Sequence, residues 1–63
     1  MAVKQMVGKE YAGATCMLND RPAKVIGAWN DFATVASLDG ELYFDWSWAA
    51  VARIMATGGV FRA

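Results

Sequence analysis

Glu41, Tyr43 and Asp45 alternate along one short stretch, ELYFD, and are the nearest approach to a catalytic constellation in this chain of 63 residues. On an extended strand, residues two apart share a face, so two carboxylates and a phenol would stand in one row. General acid–base chemistry uses such a pair when the two carboxyls sit in different environments, one kept protonated and one ionised. Ordinary strand alternation produces the same row, and the chain has no histidine to assist it. Ser47 lacks a base to activate it as a nucleophile and stands where a helix needs an N-cap. Gly58 and Gly59 follow a helical stretch, whereas a phosphate-cradling glycine loop precedes one. Cys16 is the single cysteine, so no intrachain disulfide can form, and one thiolate with scattered carboxylates is a poor zinc-ligand set. It reads as a small hydrophobe packed in a strand. The residue inventory therefore predicts no catalytic residues, no metal and no cofactor.

These residues must be positioned by one small domain, since the length admits no second. Six basic and six acidic residues cancel without forming a run of one sign, which removes the electrostatic footprint for nucleic acid or anionic lipid. No apolar run approaches the roughly 18 residues of a membrane span, and the first residues have neither the apolar stretch nor the cleavage pattern of a secretory leader. The expectation is a cytoplasmic protein. Turn signals at 19–22 (NDRP), 30–31 (ND) and 39–40 (DG) separate runs of strand composition at 14–18, 23–29, 32–38 and 41–46, which predicts a four-stranded antiparallel meander. Residues 1–13 read as an N-terminal arm: Val3, Met6, Val7 and Tyr11 suit a helical stripe, Gly8 and Gly13 an extended course. Residues 14–63 form the single α+β domain.

A two-residue loop at Asp39-Gly40 fixes a register in which Ser37 opposes Leu42, Val35 opposes Phe44 and Ala33 opposes Trp46. A similar loop at Asn30-Asp31 would set Ile26 opposite Val35 and Ala28 opposite Ala33. After Ser47 the apolar period changes from two to between three and four, so strand gives way to helix, with Ser47 as N-cap and Trp46 and Val51 as a hydrophobic staple. Trp48, Val51, Ala52 and Met55, with Ile54 beside them, face the sheet; Ala49, Arg53 and Ala56 face water. Gly58 or Gly59 ends the helix, and residues 60–62 can add a short fifth strand. The expected fold is a small curled four- to five-stranded antiparallel sheet with one C-terminal helix across it, burying Val35, Phe44, Trp46 and Val51 together.

Under that register the opposite face carries Val25, Trp29, Phe32, Leu38 and Tyr43, more large apolar groups than scattered exposure supplies. Barrel closure, or a bulge at Gly27, would bury some of them; otherwise they form a partner-binding surface. With 57% hydrophobic residues in so short a chain, a homo-oligomer that buries the Trp29/Phe32 face isologously is also expected.

The segments FATV (32–35), LDG (38–40), WSWAAVARI (46–54) and GGVF (58–61) resemble short phage and plasmid accessory proteins. The resemblance implies a factor that binds and blocks a host or defence component. The strand order also resembles that of small SH3-like barrels, from which a full helix before the last strand departs. Three classes of function follow. The first is a non-enzymatic protein-binding module using the aromatic face. The second is a nucleic-acid binder stacking bases on the same rings, which the scarcity of basic residues in the sheet disfavours. The third is a small oligomeric enzyme with a site shared between subunits.

Overall fold

The computed structural model describes residues 8–63; the helical stripe expected of Val3, Met6 and Val7 lies outside the described residues. Four strands follow the expected order, β1 (Thr15–Leu18), β2 (Arg21–Ile26), β3 (Phe32–Ser37) and β4 (Tyr43–Ser47), and lead into α1 (Trp48–Ala56) and a short β5 (Val60–Phe61). The sheet order is β4-β3-β2-β1-β5. The first four strands form an antiparallel meander, but β5 runs parallel to β1, so the sheet is mixed rather than wholly antiparallel. It curls into half a barrel, bringing Trp46 of β4 and Phe61 of β5, from opposite edges, into edge-to-face contact at 4.9 Å between ring centroids.

The turns show why each corner forms. Asn19 and Asp20 both take left-handed φ, 49° and 67°, as a tight hairpin with matching twist requires of short polar side chains. The Asn19 N–H donates to the Phe61 carbonyl at 2.9 Å, and its side-chain Oδ1 accepts from the Ala63 N–H at 3.0 Å. The first hairpin thereby holds the last strand.

In the β3–β4 hairpin, Ala33 faces Trp46 and Val35 faces Phe44, the register expected, although the connection Leu38–Glu41 is longer than two residues. Gly40, at φ 78°, turns the chain, and its N–H donates to the Ser37 carbonyl at 2.9 Å. The β2–β3 pairing differs by one residue: Val25 faces Val35 and Ile26 faces Thr34. A shift of one reverses the faces of a strand. Ala23 and Val25 therefore point into the core, and Lys24 and Ile26 point out. The cause is a loop that spans Gly27 to Asp31 instead of two residues. Gly27 lies against other parts of the chain, since a Cβ placed there would sit 2.5 Å from the Ala12 Cβ and 3.3 Å from the Trp48 ring. The Trp48 indole N–H donates to the Trp29 carbonyl at 3.2 Å, which holds the loop open.

Ser47, extended at ψ 154°, caps α1 by accepting the Ala50 N–H on its Oγ at 3.2 Å. Trp48 and Val51 are buried, Ala52, Ile54 and Met55 half-buried, and Ala49, Arg53 and Ala56 exposed, as the amphipathic spacing requires. Gly59, at φ 71°, closes the helix by donating its N–H to the Ile54 carbonyl at 2.9 Å. The core consists of Leu18, Ala23, Val25, Ala33, Val35, Trp48, Val51 and Phe61. Phe44 does not join it. It is 40% exposed because β4 is an edge strand, and α1, which starts from its end, leaves the ring uncovered. A 3-10 turn at Lys9–Tyr11 packs on α1, where Gly8 comes so close to the Trp48 carbonyl that a Cβ would lie 2.0 Å from its oxygen.

Candidate functional site

The strand pairings place Ile26, Thr34 and Asp45 in one row on the outer face, and Lys24, Ala36 and Tyr43 in the next. Above them the Gly27–Asp31 loop folds the Trp29 ring onto Phe32, nearly parallel at 29° and 5.7 Å between centroids. The same loop is fastened from below. Lys9 Nζ donates to Asn30 Oδ1 at 3.2 Å while lying 5.6 Å over the Trp48 ring, a cation–π contact. The result is an open concavity of about 520 Å³ lined by Trp29, Phe32, Thr34, Tyr43, Phe44 and Asp45. Trp29 is 52% exposed and Tyr43 67%. No protein-family model, curated protein or solved structure matches the chain.

Of the residues expected to bind a partner, the structure brings Trp29, Phe32 and Tyr43 together. Leu38 is 65% exposed but sits on the β3–β4 loop, beyond the opposite end of β3. Val25 is 1% exposed and belongs to the core, through the register shift in β2. Three lining residues, Thr34, Phe44 and Asp45, were not among those expected to bind a partner. Thr34 and Asp45 were legible as outer-face residues, because the β3–β4 register read from the Asp39-Gly40 turn sets them opposite each other there. Phe44 was not, since strand alternation marks its side chain as inward-facing and it borders the concavity only from its place between Tyr43 and Asp45.

The row of Glu41, Tyr43 and Asp45 does not assemble as a carboxylate pair. Asp45 Oδ1 accepts the Thr34 hydroxyl at 2.7 Å, whereas Glu41 lies 3.8 Å from the Arg21 guanidinium. Cys16 is half-buried against the core, and its burial pushes the thiol up from its ordinary value, away from the thiolate a nucleophile needs. Among the described residues no three His, Cys, Asp or Glu side chains converge as a metal site, and no helix is long and apolar enough to cross a membrane.

The other polar cluster holds the β3–β4 loop. Asp39 Oδ1 accepts the Ser37 hydroxyl at 2.5 Å and the Glu41 N–H at 3.0 Å, and Oδ2 lies 3.2 Å from the Arg21 guanidinium. The Ser37 hydroxyl, then the Glu41 amide, hold the Asp39 carboxyl below its ordinary value. A depressed carboxylate stabilises the fold fully above its unfolded pKa, and that contribution is lost as pH falls through the lower folded value. The Glu41 amide resonance should therefore titrate with a midpoint below that of an ordinary aspartate, and Asp39→Asn should abolish the titration. A midpoint at or above that value would mean that the carboxylate is not held.

Proposed function

We propose that this chain is a non-enzymatic protein-binding module that receives its partner in the concavity of Trp29, Phe32 and Tyr43. The observation that carries the reading is the pinned loop: Trp48 holds the main-chain carbonyl of Trp29 and Lys9 the side-chain Oδ1 of Asn30, so the rings are held out to solvent without serving the core. Large aromatics that are rigid before binding lose little entropy on contact, which is why they dominate interface energetics. Base stacking would use the same rings, but the Asp45 carboxylate lining the concavity repels a phosphate backbone. The resemblance to phage and plasmid accessory proteins supplies the class of partner, a host or defence protein that the module inhibits.

The test compares wild type with Trp29→Ala and Tyr43→Ala, first by capture and identification of the partner, then by titration calorimetry against it. Each variant should keep the wild-type circular dichroism spectrum and lose about thirtyfold in affinity, corresponding to roughly 2 kcal/mol. The Trp29 carbonyl, which the core uses, survives in Trp29→Ala. Unfolding of both variants would make these rings core. Folded variants with undiminished affinity would move the binding site elsewhere.

A further inference from the structure

We infer that the free edge of β4 pairs antiparallel with β4 of a second copy of this chain, with Phe44 on the two-fold axis. β4 ends the sheet order. The Ser37 N–H donates to the Leu42 carbonyl at 2.8 Å, which fixes the alternation: the main-chain groups of Leu42, Phe44 and Trp46 turn towards β3, and those of Tyr43 and Asp45 turn outward. Among the described residues no strand or helix covers this edge. The sequence YFDWS has no lysine and no proline, and the pairing from Phe32–Ser47 to Ala36–Tyr43 runs without a bulge. The opposite edge, β5, is only two residues long.

Charge selects the occupant and the register. Outward groups occupy alternate positions, so a self-pairing centred on this strand sets Tyr43 against Tyr43, Asp45 against Asp45, or Tyr43 against Asp45. The first brings Glu41 opposite Asp45 and the second brings Asp45 opposite itself; like charges directly opposed are destabilising. The third opposes no two carboxylates. It offers the Tyr43 hydroxyl to Asp45 of the second copy on the outer face, and the symmetry repeats the contact. On the inner face it sets the uncovered Phe44 ring against its own copy at a close, non-hydrogen-bonded position, with Leu42 opposite Trp46 beside it. The same register carries Glu41 towards Ser47 of the second copy, the N-cap of a helix whose first turn contains no acidic residue. The two aromatic concavities, each bordered by Tyr43 and Asp45, then adjoin across the axis. This pairing uses the main chain of β4 and stands independently of whether Trp29 binds a foreign partner.

Sedimentation equilibrium of the full chain from low to high micromolar concentration should give a monomer–dimer equilibrium. Tyr43→Pro removes an outward N–H and leaves the β3–β4 bonds intact, as an edge strand tolerates. It should keep the fold and weaken association at least about tenfold. In a Cys16→Ser background, Phe44→Cys should form a disulfide with its copy in oxidising buffer, because facing non-hydrogen-bonded positions have suitable Cβ spacing, and Tyr43→Cys should not. If Tyr43→Pro fails to fold, the cysteine pair decides. A wild type that stays monomeric at high micromolar concentration overturns the proposal and frees the edge for a foreign strand. A dimer undiminished in folded Tyr43→Pro overturns it in favour of another face, such as Trp29 and Phe32, and cross-linking of Tyr43→Cys as fast as Phe44→Cys overturns the register.

Discussion

Trp48→Ala should cost about 3–5 kcal/mol, the range for deleting a large aromatic from a core, and so bring a domain of this size to the edge of unfolding. Trp48 is 5% exposed and reaches several segments at once. Its indole N–H holds the Trp29 carbonyl, its ring packs under Gly27 and beneath the Lys9 ammonium, and its own carbonyl is met by Gly8. Alanine removes all but the last. Urea denaturation reads the loss, and a change below about 1 kcal/mol would show that the loop and the 3-10 turn do not depend on the ring. Trp48→Phe separates packing from tethering. It keeps much of the ring but leaves the Trp29 carbonyl without its donor, a loss of about 1 kcal/mol. It should also loosen the Trp29–Phe32 stack, visible as weakened near-ultraviolet circular dichroism. Stability and the candidate site are thus linked through one side chain at the start of the helix.

That linkage explains where the sequence was legible. Local rules found the β3–β4 register, the Ser47 cap and the glycine stop, because each depends on residues a few positions apart. They also found a turn after Leu18 but made it two residues too long, since Arg21 and Pro22 already belong to β2. The same rules placed Phe32 and Tyr43 outside the core, whereas Trp29, expected on a strand over 23–29, reaches the same place from the loop after β2. The β2–β3 register was not legible, because Asn30-Asp31 carries a valid short-turn signal that a distant indole overrides by holding Gly27 to Asp31 as a longer loop. Val25 changed sides with it. Phe44 escaped for a related reason: strand alternation states which face a side chain takes, while its cover depends on where the helix travels. The parallel course of β5 beside β1 was equally hidden, since a short strand after two glycines carries no signal of direction.

Phe61→Ala should remove a comparable 3–5 kcal/mol, but by a different route. Phe61 is fully buried beside Leu18 and closes the curled sheet against Trp46 at 4.9 Å. β5 has little else to hold it, being two residues long. The Gly59 carbonyl just before it accepts the Met17 N–H and the Phe61 carbonyl accepts the Asn19 N–H, both at 2.9 Å, and those bonds form only if the ring anchors the strand. Truncation should therefore expose the Met17 and Asn19 amides to hydrogen exchange before the amides of the β2–β3 ladder, which share no bond with β5. Phe61→Leu nearly conserves the apolar volume, should cost under about 1.5 kcal/mol and should keep both amides protected. If Phe61→Ala leaves the Met17 and Asn19 amides as slow to exchange as in wild type, the closing strand is held by its backbone rather than its side chain. The barrel-like curl would then owe nothing to the Trp46–Phe61 contact. If all amides lose protection together in Phe61→Ala, closure and core are one cooperative unit, and the β2–β4 meander carrying the aromatic concavity has no stability of its own.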